Sequence, residues 1–425
     1  MQETIGKYRW TVVTLLFFAT TVNYLDRQVI GLLKPVLEKE FVWSETDYGN
    51  IVMSFSAAYA LGLLLFGRLI DRIGTKRGYI ISIVGWSLAA IGHAFARSTF
   101  GFSVARGALG LGEAGNFPAA IKAVAEWFPK KERALATGIF NSGANIGAVV
   151  APILVPWILG LWGWQEAFLI TGAIGFVWLV FWWIFYEIPE RQKRLGAAER
   201  AYIHSDAPDI NDETPLPWAL LLGIRQTWAF FFGKMLTDPI WWFFLFWLPS
   251  YFSSTFQIDL KKPSLELAIV YTATTVGSIG GGYLSGYFIR LGWPVYRARK
   301  MAMLMFALCV VPVVLAQYAT NVWAAVGLIS LAAAAHQAWS ANIFTTASDM
   351  FPKKAVSSVV GIGGMAGAVG GIVFPLVVGR LLDHYKTLGN ITAGYHILFV
   401  WCGCAYLLAW GIMHLLAPRM EELRF

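Results

Sequence analysis

An aspartate and an arginine stand side by side in the first long apolar stretch of this 425-residue chain. Asp26 and Arg27 fall within residues 9 to 31, and placing one such charge at the centre of a bilayer costs at least about 2.5 kcal/mol. Arg106 and Glu113 stand seven residues apart in the fourth apolar stretch. Seven residues make two helical turns, so both side chains share a face. Ionisable groups in such surroundings are candidates for binding ions or carrying protons.

The composition indicates a membrane protein. Hydrophobic residues make up 57% of the chain and charged residues only 14%, and the mean hydropathy is +0.58, outside the range of soluble domains. About 20 apolar residues cross the hydrocarbon core as a helix. We count twelve such stretches, at residues 9–31, 49–69, 79–96, 101–125, 135–159, 164–186, 228–254, 266–289, 301–317, 322–348, 357–379 and 394–415.

The chain contains an internal repeat. The segment EWFPKK at 126–131 returns as DMFPKK at 349–354, and the same offset carries Gly138 onto Gly361 and Pro152 onto Pro375. Because each repeat holds an even number of spans, the two halves share one topology and are related by an axis along the membrane normal. The predicted fold is an all-α membrane protein with twelve transmembrane helices in two pseudo-symmetric six-helix bundles. The first bundle is residues 1–188, a cytoplasmic linker follows at 189–224, and the second bundle is 225–425.

The basic residues predict the orientation. Lys and Arg are concentrated in the loops after even-numbered spans, such as 68–77 and 130–133, so both termini are expected in the cytoplasm. This topology explains the net charge of +8, and we expect no nucleic-acid partner because a concentrated soluble basic face is missing. Cys309, Cys402 and Cys404 all lie in apolar spans. We therefore expect no disulfide, metal or cofactor, no removed signal peptide, and a short helix near 197–204 in the linker.

The loop after the second span carries a recognisable motif. Residues 67–77 read GRLIDRIGTKR, which resembles the G-x-L-x-D-R-x-G-x-K-R signature of the major facilitator superfamily at every fixed position. The resemblance implies a gating role for Gly67, Asp71, Arg72 and Gly74, with Arg133 in the next such loop. We expect Asp71 to meet a helix N-terminus or a basic residue across the interface between the halves and to stabilise the outward-facing state. The alternative is that these charges only enforce topology.

Further motifs narrow the family. Residues 106–112 resemble a second superfamily motif, R-x-x-x-G-x-G, and the stretches YLDR at 24–27, EAGNFP at 113–118 and EWFPKKER at 126–133 resemble the anion:cation symporter family. Segments 105–108, 125–129, 165–168 and 335–338 are most similar to bacterial hexuronate transporters. The resemblance covers nearly the whole chain. It implies a monomeric transporter of the bacterial inner membrane that is not an enzyme.

A sugar acid presents one carboxylate and several hydroxyls, and its site needs a fixed cation and hydrogen-bonding side chains around a cavity between the bundles. Arg27 is the predicted carboxylate ligand because a guanidinium stays charged and binds two oxygens at once. The other predicted substrate ligands are Tyr24, Tyr59, Asn141, Ser142 and Asn145 in the first half, and Trp242, His336, Gln337, Trp339, Asn342 and Phe344 in the second.

Coupling to protons requires a carboxylate whose protonation changes during the cycle. Asp26 and Glu113 are the predicted carriers, and Arg106 is expected to hold one of them ionised in one state. Proton and sugar acid would then bind and be released together. The alternative is a static ion cluster that fixes helix register. Lys234 and Asp238 are four residues apart and are expected to form a local ion pair, whose contact with substrate stays open.

Other functions are less compatible with the sequence. A different organic anion, such as an aldonate or sialic acid, remains an alternative, and a dicarboxylate would demand a second cation facing Arg27, for which only His336 or Lys234 is available in the second half. An enzyme would need a nucleophile with a base or a metal cluster, and neither spacing is evident. A receptor would need a larger soluble output domain. The exact sugar acid and the coupling ion stay open.

Overall fold

The computed structural model describes residues 6–43, 45–205, 216–257 and 265–423. The helices of the first half are α1 (Tyr8–Phe41), α2 (Glu45–Ile73), α3 (Thr75–Gly92), α4 (Thr99–Glu113), α5 (Asn116–Trp127), α6 (Lys130–Leu161) and α7 (Trp164–Phe185). The linker holds α8 (Ala197–Ile203) and α9 (Trp218–Gly223). The second half contains α10 (Arg225–Phe256), α11 (Leu265–Arg290), α12 (Val295–Val310), α13 (Val322–Met350), α14 (Lys353–Thr387) and α15 (Ile391–Leu416).

Two stretches that we predicted as single helices are interrupted in the structure, and proline explains both. Residues 101–125 divide into α4 and α5, because Pro118 has no N–H and its ring would clash with the carbonyl of Ala114 in a continuous helix. In the ninth stretch, α12 ends at Val310 and a 3-10 turn continues over Val311–Tyr318. Pro312 again cannot supply the α-helical hydrogen bond at that point.

Eight helices of the described residues are long and apolar enough to cross a membrane. They are α2, α3, α6, α7, α12, α13, α14 and α15, where α3 and α12 include the 3-10 turns that follow them. Among the remaining helices, α1 carries Asp26 and Arg27 and α10 carries Lys234 and Asp238. These charged candidate residues lower the hydropathy of both helices. The all-helical membrane fold is confirmed, and twelve crossings stay a prediction.

The sequence repeat has the same local structure in both halves. Pro129 precedes α6 with φ −65° and ψ 153°, and Pro352 precedes α14 with φ −62° and ψ 151°. Each proline follows a phenylalanine in extended conformation that ends the previous helix, Phe128 or Phe351. A proline is well suited to the start of a helix because it needs no hydrogen-bond acceptor there.

The linker is bound to the first half, and we call the side of the molecule at which it lies the linker end. The Glu199 carboxylate on α8 accepts hydrogen bonds from the backbone N–H groups of Tyr8 and Arg9, each at 3.0 Å. These are the free N–H groups at the start of α1, which otherwise has no side-chain cap. Burial and a hydrogen bond to the Glu132 carboxylate raise the pKa of Tyr202 to about 12, so its hydroxyl remains a donor. The predicted short helix is α8, whereas α9 was not predicted.

Candidate functional site

Arg27 lies at the centre of a cage of aromatic rings. Its guanidinium carbon is 4.6 Å from the centroid of the Tyr24 ring, 5.0 Å from that of Phe55 and 4.9 Å from that of Tyr59. Its Nη2 and Nε atoms lie 2.8 and 2.9 Å from one carboxylate oxygen of Glu113. The structure therefore brings together Arg27, the two tyrosines predicted beside it and Glu113. Phe55 was not predicted, although it stands one helical turn before Tyr59.

Exposure differs between the two partners of this ion pair. The Arg27 side chain keeps 11% of its surface accessible, whereas Glu113 keeps none, and the second carboxylate oxygen of Glu113 is buried without a hydrogen-bond partner. Aromatic rings and a buried acid hold the guanidinium in place, while a small part of the side chain stays accessible. Such a cation can receive an anion, since guanidinium groups bind carboxylates with two parallel hydrogen bonds.

Arg106 contacts the backbone of α1 next to the ion pair. Its Nη2 donates to the backbone carbonyl of Arg27 at 2.7 Å, and its guanidinium carbon is 4.7 Å from the Phe55 centroid. Within the described residues it forms no ion pair with Asp26 or Glu113, and its Nε and Nη1 atoms are buried without partners. The expectation that Arg106 holds one of the acids ionised in one state of the cycle stays a prediction.

Asp26 points away from Arg27 into the interior of the first half. Its side chain is 2% exposed and both of its carboxylate oxygens are buried without a hydrogen-bond partner, as is the neighbouring Thr171 hydroxyl of α7. An unpaired carboxylate charge in such a position costs several kcal/mol. Asp26 and Arg106 thus have free hydrogen-bonding capacity beside the Arg27 and Glu113 pair.

The polar stripe on α6 meets the second half of the chain. Asn141 donates from Nδ2 to Gln337 Oε1 on α13 at 3.0 Å, and the same atom lies 3.5 Å from the Ser278 hydroxyl on α11. Ser142 donates to the carbonyl of Ile139 in its own helix, and the Asn145 Nδ2 atom is buried without a partner. Asn141 and Gln337, both predicted ligands, therefore face one another across the interface, whereas Ser278 was not predicted.

The remaining predicted residues of α13 have distinct surroundings. The His336 ring stacks on Trp241 with centroids 5.3 Å apart and is hydrogen-bonded to the Tyr406 hydroxyl. Asn342 donates to the carbonyl of Gly281 at 2.9 Å and so joins α13 to α11. Trp339 is fully buried.

Two aromatic residues complete the predicted set in the second half. Phe344 stacks on Phe117 of the first half with centroids 5.2 Å apart. Trp242 packs against α14, where a side chain added at Gly371 would collide with the indole. Phe344 therefore lies at the interface between the halves, and Trp242 lies between two helices of the second half.

Lys234 and Asp238 form the predicted local ion pair, with Nζ and Oδ2 2.8 Å apart. The Lys234 ammonium also lies 3.9 Å from the centroid of the Phe344 ring, a favourable cation–π contact. The second half thus places its own buried ion pair against the phenylalanine that contacts Phe117.

Asp71 joins the two halves at the linker end. Its carboxylate accepts from the backbone N–H of Ser358 at 2.7 Å and of Ser357 at 3.3 Å, in the second turn of α14. On its own side it pairs with Lys122 of α5 at 3.0 Å. The cross-interface contact expected of Asp71 is present, and its effect on gating stays a prediction.

The other residues of the loop motif have separate structural roles. A Cβ at Gly67 would collide with the backbone of Ser357, so α2 and α14 approach more closely than any larger residue would allow. Gly74 connects α2 to α3 with φ +85°, a conformation that glycine adopts without strain. Arg72 is exposed and lines, with Arg68 and Trp218, an outer groove of about 540 Å³ that does not include Arg27.

A second contact at the linker end involves α6 and α11. Side chains at Gly138 and Gly282 would collide with the backbones of Ser278 and Ala134, respectively. Backbones therefore touch directly across the interface between the halves.

Charges reinforce this contact. Asp349 pairs with Arg299 at 2.9 Å and lies 3.6 Å from Arg133 Nη1, and Arg133 also donates to the carbonyl of Ser348. Arg299 donates to the carbonyl of Lys130 at 2.6 Å. The halves are tightly closed at the linker end.

In the described part of the chain, no group of three or more His, Cys, Asp or Glu side chains could hold a metal ion. We call Asp26, Arg27, Arg106 and Glu113 the central cluster. Each of its acids has an arginine nearby, Arg27 for Glu113 and Arg106 for Asp26. An arginine beside a fully buried acid is an arrangement suited to anion binding.

Comparison with known proteins agrees with this architecture. The family described as Major Facilitator Superfamily matches residues 16–375. The chain is similar to the hexuronate transporter of Escherichia coli (strain K12), at 35% identity over 379 residues, which cover 88% of each chain. It is 37% identical over 284 residues to the galacturonate transporter of Dickeya chrysanthemi, covering 66% of this chain and 82% of that one.

A solved structure supports the fold. The structure of a proton:xylose symporter bound to 6-bromo-6-deoxy-D-glucose superposes with a TM-score of 0.76 over 98% of both chains, at 15% identity. At that identity the likeness concerns the fold alone.

Proposed function

The chain belongs to the major facilitator superfamily, and from this premise we propose that it is a proton-coupled symporter that carries a hexuronate, glucuronate or galacturonate, into the cytoplasm by alternating access. Superfamily members are transporters and not enzymes, so the enzyme alternative is set aside. The names of the two relatives support a sugar acid as the substrate class.

The observation that carries the proposal is the Arg27 and Glu113 ion pair. Arg27 is the accessible member and Glu113 the buried one. A substrate carboxylate that binds Arg27 competes with Glu113 for the same guanidinium. Glu113 would then be a buried acid without its counter-charge, which is costly, and taking up a proton removes that cost. Anion binding and proton binding are thereby coupled at one arginine.

The remaining polar residues suit the rest of the substrate. We propose that Tyr24, Tyr59 and Asn145 hydrogen-bond the sugar hydroxyls from the first half, and that Gln337 does so from the second. Asn141 and Gln337 now bind each other at 3.0 Å, so a sugar hydroxyl would exchange for that bond at little net cost. Asp26, with two unpartnered oxygens and Arg106 within electrostatic range, is proposed as a second proton carrier.

We propose the membrane arrangement that the sequence predicts. Twelve crossings form two bundles, residues 1–188 and 225–425, joined by the linker at 189–224, in a monomer of the bacterial inner membrane. With the linker in the cytoplasm, the contacts of Asp71 and of the α6 and α11 glycines close the cytoplasmic side. In this proposal the structure is closed to the cytoplasm, as in the outward-open or occluded states of alternating access.

Proteoliposome uptake tests the coupling. Glu113→Gln keeps the shape and removes the exchangeable proton, so counterflow of labelled glucuronate should persist while accumulation driven by a pH gradient is lost. Unchanged accumulation in Glu113→Gln would refute the coupling role. Glu187→Gln is the matched control, because it also neutralises the acid of an ion pair, in this case with Lys76 at 3.0 Å, away from Arg27 and Glu113.

A second variant tests the binding role of Arg27. Arg27→Lys keeps the charge but replaces the planar fork by a point charge, and loss of one charged hydrogen bond of about 1.5 to 3 kcal/mol predicts roughly 10- to 150-fold weaker glucuronate binding. Binding at the original affinity would remove Arg27 from the site. Competition by unlabelled galacturonate and galactonate in the same assay separates a hexuronate carrier from an aldonate carrier.

A further inference from the structure

The Arg27–Glu113 and Lys234–Asp238 ion pairs differ in which charge is accessible. In the first pair the cation is the exposed member, with 11% of the Arg27 side chain accessible and none of Glu113. In the second pair the acid is the exposed member, with 23% of the Asp238 side chain accessible and 4% of Lys234. A molecule approaching the second pair therefore meets a carboxylate, with the ammonium behind it.

Both pairs belong to the same region between the halves. The Lys234 ammonium lies 3.9 Å from the centroid of the Phe344 ring, which stacks on Phe117 of the first half. Asp238 is within electrostatic range of Tyr24, whose ring lies 4.6 Å from the Arg27 guanidinium carbon. Asp238 also packs on Gly367 of α14, where any side chain would collide with its carboxylate. The α10 ion pair therefore lies beside α14 and next to a ring contact that joins the two halves.

The Lys234 ammonium contacts an acid and an aromatic ring. Asp238 takes its charge at 2.8 Å, the Phe344 ring lies 3.9 Å beneath it, and Phe344 is fixed by stacking on Phe117. The Lys234 ammonium, which could otherwise bind an anion, is thus covered by an acid.

We propose that Asp238 determines substrate selectivity: it accepts hydrogen bonds from hydroxyls at the end of the substrate remote from its carboxylate, and it excludes acids that carry a second carboxylate there. This inference rests on the proposed function, in which Arg27 binds the one carboxylate of a hexuronate. A hydroxyl donates well to a carboxylate acceptor, whereas two carboxylates placed together repel. A hexuronate has hydroxyls at its second end, and an aldarate such as galactarate has a carboxylate at both.

The test compares the two substrate classes in one preparation. Counterflow of labelled glucuronate in proteoliposomes is inhibited with unlabelled galactarate or unlabelled galacturonate, and the ratio of the two inhibition constants is measured. Asp238→Asn keeps an acceptor oxygen and uncovers Lys234, so the ratio should shift toward galactarate by about tenfold or more. Glu187→Gln should leave the ratio unchanged.

A second variant moves the ratio the other way. Lys234→Gln leaves the Asp238 carboxylate without its counter-charge, so galactarate should compete about tenfold less well than with the original chain when the assay pH is high enough to keep Asp238 ionised. This variant also tests the inference independently if the Asp238→Asn protein does not fold. Adding Lys234→Gln to Asp238→Asn should abolish the gain for galactarate, because no cation remains to bind it.

The outcomes distinguish this inference from the proposed function. If the original chain exchanges no hexuronate, the proposed function fails whatever the variants do. If it exchanges glucuronate and the ratio is unchanged in the recovered Asp238 and Lys234 variants, the selectivity role of Asp238 is refuted and the transport function stands. A double variant that keeps the gain for galactarate also refutes it.

Discussion

Asp71→Asn should open the linker end. In the closed arrangement the Asp71 carboxylate accepts from two backbone N–H groups of α14, at 2.7 and 3.3 Å, across the interface between the halves. Its pairing with Lys122 lies within the first half and should persist when the halves separate. Only the two α14 contacts therefore differ between the closed and open arrangements.

The size of the effect follows from these two bonds. Hydrogen bonds to a charged group contribute about 1.5 kcal/mol or more each, so the carboxylate stabilises the closed arrangement by about 3 kcal/mol. Asparagine keeps one neutral acceptor oxygen worth about 1 kcal/mol, which leaves a net loss of about 2 kcal/mol. At 1.4 kcal/mol per factor of ten, the equilibrium should shift about 30-fold toward conformations open at the linker end.

Pulsed electron–electron resonance measures this shift. Spin labels at Arg77 and Arg297, both exposed at the linker end, report the distance between the halves in a background without Cys309, Cys402 and Cys404. The longer-distance population should grow in Asp71→Asn and not in Glu187→Gln. An Asp71→Asn distance distribution identical to that of the background would refute this role of Asp71, even if Lys122, left without its charged partner, lowers overall stability.

Three further outcomes follow from contacts at the linker end. Gly138→Ala should weaken the closed arrangement, because its Cβ would collide with the Ser278 backbone, and the same spin-label pair should report more of the long distance; no change would contradict direct backbone packing. Asp349→Asn should lower the thermal unfolding midpoint by about 5 to 10 °C, because breaking a buried ion pair with Arg299 costs about 3 to 5 kcal/mol; a midpoint within 1 °C of the original, an interval of about 0.5 kcal/mol, would count against it. Glu199→Ala removes the acceptor at the start of α1, and trypsin should cleave the linker about tenfold faster, which corresponds to about 1.4 kcal/mol of local stability; an unchanged rate would show that α8 is held by other contacts.

Several features of the site were predictable because they depend on neighbours along one helix. The spacing of Lys234 and Asp238 predicts their ion pair, and the position of Tyr24 three residues before Arg27 predicts that ring and guanidinium lie together. The loop motif predicts a contact of Asp71 across the interface. Each prediction requires only helical geometry or a strong local motif.

Other features depend on packing between distant helices. Arg106 and Glu113 share a helix face, yet Glu113 pairs with Arg27 of α1, while Arg106 reaches the Arg27 carbonyl. Phe55 and Ser278 enter the site from α2 and α11 without any charge or motif to mark them. The sequence also does not show that Asp238 is more exposed than Lys234, because that difference depends on which helices surround α10.

The class of the molecule follows from the amino-acid sequence alone, since apolar stretches of membrane-spanning length, a repeat and a loop motif do not depend on how the helices pack. The sequence also marked the charged residues, because a charge in an apolar helix is costly wherever that helix lies. Three features depend on how the helices pack: which charges are paired, which member of each pair is accessible, and the closure of the halves at the linker end. Those depend on distances between helices that no periodicity along one helix contains.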